Sequence, residues 1–160
     1  MPPPTLAVFT KNRVNPAYDA ARLIAERRTG QDALAADART RLLVARGRGG
    51  EALEQFIAAR RVRGKSEQLG VEDGAVLLTR AAWLHLAAGN AKVAEQQALL
   101  ALEAIGRSAH PEFLRHAEAQ ATQRLGQAVL AQGRAAEALP LLERALDRQR
   151  AVVDPATSLD

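Results

Sequence analysis

Few residues in this chain can do chemistry at neutral pH. Three histidines, His85, His110 and His116, are the side chains with an ordinary pKa near 7, and there is no cysteine. His110 and His116 are six positions apart, so they do not share a helical face as metal ligands at i and i+4 do. No metal site and no cofactor is expected. Glu72-Asp73 are adjacent acids placed ahead of an apolar helical pattern, where carboxylates serve as caps. Gly47-Arg48-Gly49-Gly50 has the glycine content of an anion cradle, but Glu51 and Glu54 follow it and would repel a phosphate. The run reads as a turn. The Walker, nucleophile-elbow, zinc-protease and paired-cysteine patterns are missing from the sequence. No catalytic constellation emerges, and an enzyme is not expected.

The elements that would hold these residues are helices. Apolar residues recur at three- and four-residue spacing from Gln31 onward. The pattern predicts helices over 32–46, 51–63, 74–88, 91–105, 111–131 and 135–152. Pro111 and Glu112 suit the first turn of the fifth. Pro140 removes a backbone donor in the last, which predicts a late start or a kink. Ahead of these, three prolines favour an extended entry, Thr5 to Thr10 suits a strand, and Asn15-Pro16 opens a helix over 17–28. Residues 1–14 read as an extended or loose arm, 15–152 as one helical domain, and 153–160 as a tail or the start of a further, truncated repeat.

Three sets of small residues repeat. Gly47, Ala52 and Ala59 are followed 42 residues later by Gly89, Ala94 and Ala101, and 44 later again by Gly133, Ala138 and Ala145. Pro111 and Pro155 are also 44 apart. A period of this size marks helical hairpins stacked side by side. Gly126 sits mid-helix, where glycine costs about 1 kcal/mol against alanine, so close packing must require it. Leu125, Val129 and Leu130 give the first helix of the last hairpin its apolar stripe. Ala138, Leu139, Leu141, Leu142, Ala145 and Leu146 do so for the second.

Leu125-Gly126, Gly133, Ala138 and Ala145 resemble the small-residue skeleton of the tetratricopeptide repeat. The longer period and His110-Pro111 are similar to the kinesin light chain type, a subgroup often found in bacterial regulatory proteins. The family's aromatic positions fall on Ala36, Leu78 and Thr122, and its leucine-glycine pair on Arg39-Thr40 and Ala81-Ala82, so only the third repeat fits closely. The resemblance implies an all-α right-handed solenoid of antiparallel hairpins with six or seven helices. It implies a scaffold, regulatory or adaptor in kind, that binds a peptide or partner protein on the concave face of the first helices. Carried over position by position, that face holds Asp37, Arg41, Thr79, Trp83, Gln120, Gln123 and Gln127, with Arg80 and Arg124 beside them. Trp83 is the candidate anchor, or else packs between hairpins. His85 falls where the family has a packing tyrosine. Of the chaperone-tail clamp only Arg124 is kept, which argues against that ligand.

Charge adds a direction. Residues 1–65 hold 13 Lys/Arg and 6 Asp/Glu, the remainder 9 and 12. Nearly all the cations are arginine, suited to bidentate carboxylate or phosphate contacts. An acidic partner is therefore expected near residues 39–65. Nucleic acid is the alternative, through Arg39, Arg41, Arg46, Arg48, Arg60, Arg61 and Arg63. Only Phe56 lies nearby to stack on a base, which argues against it. A second alternative comes from LAVFTKNRVNPAYDAARLIAER, which looks like the first strand and helix of type I periplasmic sugar-binding proteins. That resemblance implies a sugar near Thr10 to Asn15, but no second strand follows to build its sheet. The sequence has no membrane-length apolar run and no signal-peptide pattern at its start, so a cytoplasmic location is expected. The wide apolar arc of the last helix predicts a homodimer through it, or a further segment against it.

Overall fold

The computed structural model describes residues 24, 35–63 and 70–153. The chain divides into two units, Met1–Thr40 and Arg41–Asp160. Of the first, Ile24 and residues 35–40 are described, all helical. Among the described residues every regular element is helical: α1 (35–45, of which 41–45 belong to the second unit), α2 (Gly49–Arg63), α3 (Val71–Ala87), α4 (Ala91–Gly106), a 3-10 turn Pro111–Leu114, α5 (Arg115–Ala131) and α6 (Ala135–Val153). The expected strand over 5–10, most of the helix over 17–28 and the tail from 154 lie outside the described residues.

Three of the junctions are the same device. Gly47, Gly89 and Gly133 have φ of 74°, 82° and 81°, the left-handed region that side chains resist. Each glycine N–H bonds the carbonyl three residues back: Val44, Leu86 and Leu130. The next N–H, from Arg48, Asn90 or Arg134, bonds the carbonyl five back: Leu43, His85 and Val129. This pair of bonds closes a helix C-terminus in the Schellman manner. The carbonyls of Arg48, Asn90 and Arg134 then accept the first bond of the next helix, from Ala52, Ala94 and Ala138. The period of small residues in the sequence is thus a period of backbone geometry.

Packing follows the chain order. Within the second unit α3 lies along α4, α4 against α5, and α5 along α6, while α2 and α5 also meet α3. Alanine does most of the close work. Ala52, Ala94, Ala98, Ala101, Ala138 and Ala145 are buried, along with Leu84, Leu125 and Val129. Ala59 departs from the repeat and is exposed. The apolar groups gathered at α2 are Leu43, Leu53 and Leu84, all at its N-terminal half, which leaves Ala59 beyond them. Gly126 is buried because a Cβ there would lie 2.8 Å from Leu142 Cδ2.

Several expectations need correction. Helix α3 begins at Val71, not Gly74, so Glu72 and Asp73 are in its first turn rather than ahead of it. There Glu72 accepts a bond from Ser108 Oγ at 2.8 Å, and backbone and hydroxyl donors hold its carboxyl below the usual range. Pro111 and Glu112 open a 3-10 turn, and the α-helix follows from Arg115. Helix α6 starts at Ala135 with Pro140 inside it, so the late start does not occur. The carbonyl that Pro140 leaves unpaired belongs to Ala136, an exposed residue open to water. Gly49 is not a turn residue. It starts α2 and is buried, and a Cβ on it would lie 2.1 Å from the Ala87 carbonyl oxygen. Leu130 is exposed, since it sits about 100° round α5 from Val129.

Candidate interaction face on α3 and α5

Trp83 and Arg124 come from different hairpins, 41 positions apart in sequence, and they touch. Trp83 sits in the last part of α3, where its ring is half-buried against the Leu43, Ala52, Leu53 and Leu84 group. Arg124 lies mid-α5, and its guanidinium carbon stands 5.9 Å from the centroid of the Trp83 ring. A cation over an indole face is an attractive pairing, worth about 0.5–2 kcal/mol depending on how dry it is. Trp83 thus packs against that group, and Arg124 stands over its ring.

Arg124 is unusual among the cations here. Burial pulls its pKa below the ordinary arginine value. Its one hydrogen bond goes to a neutral acceptor, Gln127 Oε1, at 2.9 Å. No carboxylate lies within ion-pairing distance of it among the described residues. A half-buried guanidinium without a counter-charge has donors and field to spare for an anion. Contrast Arg148, whose guanidinium reaches Glu118 at 3.0 Å and donates to Thr122 Oγ1 at 2.9 Å. Contrast also Arg134, which bridges Glu95 at 2.9 Å and Glu137 at 2.6 Å, two acids that raise its pKa above the arginine norm.

The other expected residues divide. Arg80 is half-buried on α3, one turn before Trp83. Gln127 is joined to Arg124 as above. Gln120 and Gln123 are half-buried on α5; Gln120 Nε2 lies 3.0 Å from His116 Nε2, and Gln123 accepts from Gln149 at 3.4 Å. Thr79 is buried, with its hydroxyl donating to the Ala75 carbonyl at 2.8 Å, so it faces inward as a packing residue. Asp37 is half-buried in α1 and Arg41 exposed. In the arginine-rich stretch, Arg39, Arg46, Arg60 and Arg61 are exposed, while Arg48 pairs with Glu51 at 2.5 Å. The network of Glu118, Thr122 and Arg148 beside Gln123 was not read from the sequence. Thr122 falls at an aromatic position of the repeat, and nothing in the chain's pattern marks it as the acceptor for an arginine 26 residues on.

No family model matches this chain, and no curated protein or solved structure matches it either.

Proposed function

We propose that the protein is a binding scaffold of the tetratricopeptide kind, a right-handed stack of helical hairpins that holds an acidic peptide or partner protein against α3 and α5. One observation carries the reading: Arg124 lies half-buried over the Trp83 ring with no carboxylate paired to it among the described residues. An incoming Asp, Glu or terminal carboxylate supplies that charge, and the indole supplies apolar area at low entropic cost. Gln123 and Gln127 lie beside Arg124 on α5 and add polar groups to the same face. The repeated Schellman turns support the stacked-hairpin part of the reading, since each repeats at the period of the small residues.

Selection of displayed random peptides on the immobilised full chain tests this. Asp and Glu should be enriched in the selected peptides, and binding should fall with Arg124→Gln while circular dichroism shows the helices intact. Enrichment of basic or purely apolar peptides, or acidic peptides that bind Arg124→Gln equally well, would contradict it.

A further inference from the structure

The last helix carries a second apolar stripe that its own hairpin does not use. Leu139, Leu146 and Val153 are 59%, 48% and 83% exposed. They are seven residues apart, so they line up along one edge of α6. The residues that bury α6 against the rest of the chain, Ala138 and Ala145, lie about 100° round the helix from them.

The molecule itself shows what this edge does elsewhere. Shift Leu139 back by 44 residues and then by 42, and the positions are Glu95 on α4 and Leu53 on α2. Both of those face the hairpin that follows. Leu53 is buried with Leu84 of α3. Glu95 accepts bonds from Gln132 at 2.5 Å and Arg134 at 2.9 Å, both at the α5–α6 turn. Leu146 shifted back by 44 is Leu102, which packs against Leu114, Ala117 and Leu125 of the following hairpin. The edge therefore docks at both of these positions on α4 and at Leu53 on α2, whereas Arg60, the α2 counterpart of Leu146, is exposed. On α6 it is more apolar than on α4, with leucine in place of Glu95.

Charge selects the occupant. Glu143 and Arg150 flank the stripe on the same side, three residues before Leu146 and four after, and both are exposed. Reversing the helix exchanges them. A second α6 laid antiparallel about an axis at Leu146 sets Leu146 against its own copy, Leu139 against Val153 of the second copy, and Glu143 within one residue of level with Arg150 of the second copy. Each ion pair then forms twice. We infer that the protein forms an isologous homodimer through antiparallel packing of α6 on α6, with the Leu139–Leu146–Val153 stripe as its seam and the Glu143–Arg150 pairs setting its register. The inference uses neither Trp83 nor Arg124, so it and the peptide-binding reading stand or fall separately.

Sedimentation velocity of the full chain, from about 1 to 100 µM, is the test. The wild type should move toward a species of twice 17.1 kDa. Glu143→Arg alone and Arg150→Glu alone should each weaken association about tenfold, because a surface ion pair is lost and replaced by repulsion at two symmetric places. Combining the two reversals should restore the dimer. Circular dichroism of each variant checks that the helices persist; both sites are solvent-exposed, so folding should not be at risk. A wild type that stays monomeric at about 100 µM would overturn the inference. So would single reversals that leave the dimer intact, a double reversal that fails to recover it, or growth beyond two copies.

Discussion

Two glycines bring helices into contact in this chain, and they meet different neighbours. At the α2–α3 contact, a Cβ on Gly49 would lie 2.1 Å from the Ala87 carbonyl oxygen and 2.3 Å from its carbon. At the α5–α6 contact, a Cβ on Gly126 would lie 2.8 Å from Leu142 Cδ2 and Cγ, and 3.3 Å from Leu141 Cβ. Backbone held in a helix cannot step aside without moving the helix. A leucine side chain can change rotamer. The first glycine is therefore fixed by its surroundings, whereas the second is one of several ways to fill its space. The sequence signals run the other way. Gly126 stands alone in a helical pattern and attracts notice, while Gly49 is hidden in a run of glycines.

The largest expected effect separates these two. Gly49→Ala should lose about 3 kcal/mol or more, as overpacking against rigid atoms does. Thermal melts would read this as the sharpest drop of any substitution named here. A Gly49→Ala protein as stable as wild type would mean that α2 is not held against Ala87 in this way.

Next come the three turn glycines. Gly47, Gly89 and Gly133 have no atom within 4 Å of an added Cβ, so replacing them with alanine strains only the backbone. Each should cost about 1–2 kcal/mol, and the three costs should be similar because the three turns share one geometry. Urea unfolding of the single variants checks this. One turn costing nothing while another costs the full amount would break the identity between them.

Gly126→Ala should cost less, about 1 kcal/mol or under. The crowding of Leu142 is offset by about 1 kcal/mol of helix propensity gained. A loss equal to that of Gly49→Ala would show that Leu142 is as immobile as a carbonyl.

The smallest effect concerns the residue whose carbonyl accepts the longer bond of each turn. Leu43 and Val129 are buried there, and His85 is their counterpart in the middle turn. Burial lowers the His85 pKa from its ordinary 6.5. The unfolded chain then binds the proton first, so stability is whole above that value and declines as pH falls below it toward the folded-state pKa. His85→Leu should flatten this part of the pH–stability curve. An unchanged slope between wild type and variant would remove His85 as its cause.

What the sequence revealed and what it withheld have physical reasons. The turn glycines were legible because a left-handed residue at a helix end selects glycine, and the same turn recurs at Gly47, Gly89 and Gly133. The alanines five and twelve residues on were legible at Ala52, Ala94, Ala101, Ala138 and Ala145, which are buried, but not at Ala59. Burial at that position needs a neighbouring helix, and the repeat spacing alone does not supply one. Thr79, expected on the binding face, is buried, as is Thr122. Each hydroxyl bonds a carbonyl four residues back, to Ala75 and Glu118, so a polar residue can sit inside at little cost. The Trp83–Arg124 contact spans two hairpins, and only the stacking of α3 on α5 creates it.

The most direct measurement uses the single tryptophan of the chain. Trp83 emission should shift and saturate as an acidic peptide from the display selection is added, because the carboxylate draws Arg124 and changes the field at the indole. The same titration with Arg124→Gln should give a tryptophan signal that no longer responds, in a protein whose circular dichroism shows the helices intact. A peptide that binds by calorimetry yet leaves Trp83 emission unchanged, or a response preserved in Arg124→Gln, would contradict the placement of the binding face on α3 and α5.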